Sequence, residues 1–302
     1  MRPYPPFRSP SVILVPALLV AACASTAPAV APLPAPSGNH EVTVEVPAIQ
    51  RPQQETAQWW FRDGAAQAAG RGALGGQAKN VILFVGDGMS LPTVAAARIL
   101  EGQQKGGAGE DHRLSWEHFP ATAMSKTYNT DMQTPDSAGT MSAMATGVKT
   151  RSGVISIGQS AAYGDCKGAL AAPMITLWQL AAGSGMATGV VTTARATHAT
   201  PAATFSHSAE RGWESDAAMP AEALAAGCTD IARQMIESPY GTGLDVLMGG
   251  GRTNFMPAGQ TDPEYPDQSG RRADGRDLIA TWKQRHPGGA YAWNAQQFAA
   301  AP

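Results

Sequence analysis

Three short polar clusters in this chain hold the residue types that bind metals and anions and attack electrophiles. The first is Gly86-Asp87-Gly88-Met89, which directly follows the apolar run Val81-Ile82-Leu83-Phe84-Val85. A carboxylate between two glycines at the carboxyl end of a strand can reach a cation while the backbone stays close. A turn or helix-cap aspartate accounts for the same residues without chemistry. The second cluster is Thr134-Pro135-Asp136-Ser137-Ala138-Gly139-Thr140. Pro135 punctuates the chain and Asp136 or Ser137 suits a helix start, where unpaired N–H groups attract anions such as phosphate. A serine there is a nucleophile only with a base or a metal beside it; without one, the segment is a helix cap. The third cluster runs Arg195-Ala196-Thr197-His198-Ala199-Thr200-Pro201 and continues to His207-Ser208-Ala209-Glu210-Arg211. It offers a hydroxyl for magnesium, an imidazole behind it and a guanidinium for bidentate phosphate binding, or simply a polar loop.

The elements that must position these clusters alternate along the chain. Val81–Val85 reads as a strand buried on both faces, because an unbroken apolar run leaves no polar side for water. Helices are expected over Thr56–Ala69, Pro92–Gln103, Met174–Ala182 and Glu222–Glu237. Strands are expected over Ala187–Thr193 and Leu244–Met248. This alternation predicts an α/β fold, a mainly parallel sheet sandwiched by helices. Ligands of such sheets gather beyond the carboxyl ends of strands, where Asp87 and the third cluster fall.

Bulk properties narrow the function. Of 302 residues, 43% are hydrophobic and 15% charged, enough for a sizeable core. A formal net charge of -2 gives no pull toward nucleic acid or an anionic membrane. Neither a GxxxxGKS/T loop nor zinc-finger spacing nor a basic-aromatic run is present, which argues against a nucleic-acid partner. At the N-terminus, Arg2 and Arg8 precede an apolar stretch from Ser11 to Ala22 that is too short to span a bilayer. Residues 1–22 therefore read as an export signal, and Leu19-Val20-Ala21-Ala22-Cys23 looks like a lipoprotein cleavage box with Cys23 as lipid anchor. An ordinary secretory signal with an incidental cysteine is the alternative. Residues 23–53, rich in Ala and Pro, read as a tether, and 54–302 as the folded domain. The chain is expected to be exported, to the periplasm or the cell surface. Cys166 and Cys228 then remain as one pair, a disulfide in an oxidising compartment or two buried thiols.

Taken together, Val-Gly-Asp-Gly-Met, Pro-Asp-Ser-Ala-Gly-Thr, and His-Ala-Thr-Pro followed by Arg211 resemble the alkaline phosphatase family in content and order. The resemblance runs from about Thr56 to near the end. It includes Ser125-Lys126-Thr127-Tyr128-Asn129, Met248-Gly249-Gly250-Gly251-Arg252 and Pro263-Glu264-Tyr265-Pro266-Asp267. It implies hydrolysis of small phosphate monoesters at a zinc (Zn2+) and magnesium (Mg2+) site. Within it, Ser137 is the nucleophile that becomes phosphoserine, Arg211 clamps phosphate, and Asp136 orients Arg211. Asp87 bridges a zinc and the magnesium, Thr200 is a magnesium ligand, and His198 lies near magnesium, as a ligand or one step behind it. One zinc would activate Ser137, and the other would stabilise the leaving oxygen. It also places Cys166 and Cys228 where relatives carry a disulfide and implies a homodimer. Relatives continue further and there supply the remaining zinc and magnesium ligands. None of the six histidines has zinc-ligand spacing, and Asp111-His112 reads as a solvated loop. The chain is therefore expected to be incomplete at the C-terminus. The alternative function is an inactive fragment that binds phosphate or a partner without turnover.

Overall fold

The computed structural model describes residues 55–70, 78–119, 122–240 and 243–301. The signal and tether readings over 1–53 lie outside the described residues. Helices α1 (Ala57–Gly70) and α2 (Leu91–Gln104) form close to the predicted positions. Ser90 starts α2, its hydroxyl accepting from the Thr93 N–H, and Pro92 in the first turn needs no N–H partner. Helices α3 (Ser137–Thr146), α4 (Cys166–Ala171) and α5 (Leu177–Gly183) follow. The last begins three residues later than periodicity suggested, because Thr176 and Gln179 close a reciprocal capping box.

Strand β1 (Gly189–Arg195) pairs in parallel with β2 (Val246–Gly250), with Gly189 opposite Val246 and Val191 opposite Met248. The Asp245 carboxylate accepts from the Thr188 N–H at 2.7 Å and helps set this register. Between the strands lie α6 (Ala199–Ala202), α7 (Ala221–Ala225) and α8 (Ile231–Ile236); α9 (Leu278–Arg285) and α10 (Ala295–Ala299) come after them. The helix expected over Glu222–Glu237 is thus two helices. Gly227 takes a φ of +93°, Cys228 is tied to Cys166, and the Asp230 carboxylate caps a new helix through the Arg233 N–H.

The expected buried strand at Val81–Val85 is also corrected. These residues belong to no strand among the described residues, and Val81, Ile82 and Phe84 are 75%, 77% and 88% exposed. An unbroken apolar run records what a segment requires, two flanking strands and a helix on each face. The described residues supply a sheet of β1 and β2 alone.

Small side chains bring the site-bearing helices together. Ala138, Met141 and Ala145 of α3 pack with Ala199 and Ala202 of α6, Ile155, Phe205 and Ile231 in one buried cluster. A second cluster, with Val154, Ile157, Trp213 and Ala223, surrounds the Cys166–Cys228 disulfide. That bond closes a separation of 62 residues and holds α4 to the turn between α7 and α8. Cys228→Ala should therefore lower unfolding free energy by about 2–4 kcal/mol. Urea unfolding of parent and variant, both oxidised, measures it, and coincident curves would contradict it.

Candidate functional site

Asp136 is the N-cap of α3, with its carboxylate accepting from the Ala138 N–H at 3.2 Å and the Gly139 N–H at 3.1 Å. This puts Ser137 in the first helical position, where its Oγ donates to Asp87 Oδ1 at 2.7 Å. The turn after β1 leads into α6, from which Thr200 Oγ1 donates to the other oxygen of Asp87, Oδ2, at 2.7 Å. Asp87 thus joins two hydroxyls that lie 50 and 113 residues away along the chain. Burial alone would raise the Asp87 pKa, but hydrogen bonds from Thr200 and Ser137, with the charges of His198 and Arg211, outweigh it and hold the carboxyl below its ordinary value.

Arg211 enters from the loop after α6. Its Nη1 donates to Asp136 Oδ2 at 3.0 Å, and its Nη2 meets His198 Nε2 at 3.1 Å. A guanidinium only donates, so His198 Nε2 is an acceptor and the ring proton sits on Nδ1. Nδ1 is buried without a hydrogen-bond partner among the described residues. Burial first, and the charges of Arg211 and Arg195 second, lower the His198 pKa and favour this neutral ring. Of the six residues singled out from sequence, Asp87, Ser137 and Thr200 share one hydrogen-bonded group. Asp136, Arg211 and His198 share a second, and Asp136 adjoins Ser137 in the chain.

Three further side chains build the site; Glu214 and Asn254 lie outside every motif, and Asn129 ends the 125–129 segment of the resemblance with no role attached to it. Glu214 accepts from Arg195 Nε at 2.8 Å and Nη2 at 2.6 Å, and from Thr197 Oγ1 at 2.6 Å. Asn254 Nδ2 donates to Thr197 Oγ1 at 2.7 Å. This network fixes the chain on the N-terminal side of His198. Asn129 Nδ2 donates to Asp136 Oδ1 at 2.9 Å. No spacing rule links such partners, although Arg195 and Thr197 lie within the third cluster.

A divalent cation can be tested against these donors. Asp87 and Thr200 converge as two oxygen donors of the kind magnesium prefers. For zinc the described residues do not fit: no group of three His, Cys, Asp or Glu side chains able to hold an ion occurs among them, and zinc takes at least three protein ligands.

The fold and this arrangement define an α/β protein with a serine at a helix start, a carboxylate against its hydroxyl and an arginine held beside it. The model of the alkaline phosphatase family matches residues 78–301. The alkaline phosphatase of Gadus morhua is 45% identical over 223 residues, covering 72% of this chain and 46% of that protein. The human tissue-nonspecific isozyme is 44% identical over 223 residues, covering 72% and 42%. In three dimensions the chain is similar to Thermus thermophilus alkaline phosphatase, with TM-score 0.51 and 27% identity over 70% of this chain and 36% of that one. The chain belongs to the alkaline phosphatase family, and it spans a little under half the length of these curated relatives.

Proposed function

We propose that this chain carries the nucleophile and phosphate clamp of a phosphate monoester hydrolase working through a phosphoserine on Ser137. Ser137 Oγ attacks phosphorus, the Oγ–P bond forms and the P–O bond to the alcohol breaks, with the departing oxygen taking the electron pair and, in net terms, the proton that the serine hydroxyl gives up. Water then attacks the phosphoserine, the Oγ–P bond breaks, and inorganic phosphate leaves as Ser137 regains its proton. Arg211 supplies paired N–H donors for the non-bridging oxygens, and Asp136 holds it in place. Asp87 accepts the Ser137 hydroxyl hydrogen and so directs the oxygen's remaining lone pairs outward. A carboxylate with a depressed pKa is a weak base for a serine, and a divalent cation when bound supplies the missing charge stabilisation. Asp87 and Thr200 would hold magnesium; zinc would need donors beyond the described residues.

The observation that carries this reading is that one carboxylate, Asp87, takes the Ser137 and Thr200 hydroxyls on its two oxygens. Export, with a lipid on Cys23, is proposed from the sequence of residues 1–23. Among the described residues no helix is long and apolar enough to cross a membrane.

Inorganic phosphate binding tests the clamp. Arg211→Ala should weaken it roughly 10- to 100-fold, the worth of charge-assisted hydrogen bonds, with a urea transition that shows the variant still folded. Calorimetric titration of both proteins decides, and equal affinities would remove Arg211 from the site.

A further inference from the structure

Asn129 stands out among buried polar side chains because its contacts converge on the phosphate clamp. It is 3% exposed. Its backbone is fixed by a tight turn, N–H to Met132 O at 2.9 Å, and the next residue is tied by Thr130 N–H to Thr150 O at 2.9 Å. Only the amide Nδ2 can donate to a carboxylate, so the contact with Asp136 Oδ1 sets the amide's orientation. Asn129 Oδ1 then points at the first turn of α3, buried and without a hydrogen-bond partner among the described residues. A Cβ on Gly139 would stand 2.6 Å from this oxygen and 2.8 Å from Arg151 O. Residue 139 is therefore confined to glycine by this amide and the Arg151 carbonyl together.

The consequence falls on Asp136. The final torsion of an aspartate is broad, and N-capping alone leaves the carboxylate free to exchange its oxygens between partners. Here Oδ1 takes Asn129 Nδ2 and the Gly139 N–H, whereas Oδ2 takes the Ala138 N–H and Arg211 Nη1, and the Gly153 backbone N–H adds a further bond to the carboxylate. Pinning Oδ1 to the Asn129 amide leaves Oδ2 for the guanidinium. We propose that Asn129 is a positioning residue, which aims Arg211 at phosphate by fixing the rotation of the Asp136 carboxylate. The idea rests on the clamp reading above and adds to it a residue that touches neither phosphate nor Arg211.

A double-mutant cycle on the full chain separates positioning from mere scaffolding. With inorganic phosphate as probe, Asn129→Ala should weaken binding about tenfold. In an Arg211→Ala background the same change should have no further effect, because the residue it acts through is gone. Asn129→Asp should be worse than Asn129→Ala, since it sets a second carboxylate against Asp136. Parental affinity in Asn129→Ala, or an undiminished loss in the Arg211→Ala background, would overturn the proposal. A second measurement needs no ligand: NMR of 15N-arginine-labelled chain, with the Arg211 signal assigned by its loss in Arg211→Ala. Rotation of that guanidinium should be slow in the parent and fast in Asn129→Ala, and equal rotation in the two would also overturn the proposal. A parent that binds no phosphate would sink the clamp reading alone, leaving the NMR comparison to judge Asn129.

Discussion

Ser137→Ala should reduce phosphomonoester hydrolysis on the order of a thousandfold or more while leaving inorganic phosphate affinity nearly unchanged. The size follows from removing the oxygen proposed to bond to phosphorus. The selectivity follows from local structure. Helix α3 is capped by Asp136 rather than Ser137, so the helix start survives. Ser137 gives up one side-chain hydrogen bond, to Asp87, an exposed carboxylate that water can satisfy and that keeps Thr200. Arg211 is held by Asp136 and His198 rather than by the Ser137 hydroxyl, so the proposed clamp should survive. The assay is release of p-nitrophenol from its phosphate ester with magnesium and zinc present, paired with calorimetric phosphate titration. Parental turnover in the variant would place the nucleophile elsewhere. Joint loss of turnover and binding would instead mean that Ser137 shapes the site.

Asp230→Ala should destabilise the fold by about 3–5 kcal/mol, a large part of the total stability of an ordinary domain. Arg272 is fully buried, and Asp230 meets it with both oxygens, at 2.9 and 3.0 Å. Removing that carboxylate leaves a buried guanidinium short of its best partner and strips α8 of its N-cap. Asp274 and Asp216 remain near Arg272 at 2.6 and 3.5 Å and offset part of the loss. Asp274 also makes stability acid-sensitive. Burial raises the Asp274 pKa, yet hydrogen bonding and charge from Arg272 overcome this and hold it below the ordinary aspartate value. A depressed folded pKa means the unfolded chain binds the proton more readily. Asp274's contribution is therefore complete above about pH 4 and fades as pH falls below it. Urea midpoints of parent and Asp230→Ala across that range measure both effects. A deficit under about 1 kcal/mol at neutral pH would refute the role given to the buried pair.

Those two residues show what kind of information a sequence carries. Asp136 and Ser137 were legible because a proline, a capping residue and a run of small residues announce a helix start within one segment. The parallel strands were legible to within two or three residues, because β1 and β2 keep their apolar runs. Asp230 was hidden inside a helix expected over Glu222–Glu237, where periodicity carried across Gly227 and a disulfide-linked turn. Its partner Arg272 lies 42 residues further on, and no local pattern marks it as buried. Glu214 and Asn254 were invisible for the same reason, since they reach Thr197 only after the fold brings them there. Val81–Val85 failed differently. The run states a demand for burial that the described residues do not meet, so pattern and exposure disagree over the segment that leads into Asp87.

The most direct test of the account is to find the phosphate on the protein. The chain is incubated with a phosphomonoester in magnesium and zinc and quenched in acid, which stops hydrolysis of a phosphoserine. Peptides are then mapped by mass spectrometry. One phosphate is expected, carried on Ser137 and absent from Ser137→Ala. Phosphate on another residue, or ester hydrolysis with no phosphorylated peptide in any quench, would contradict it.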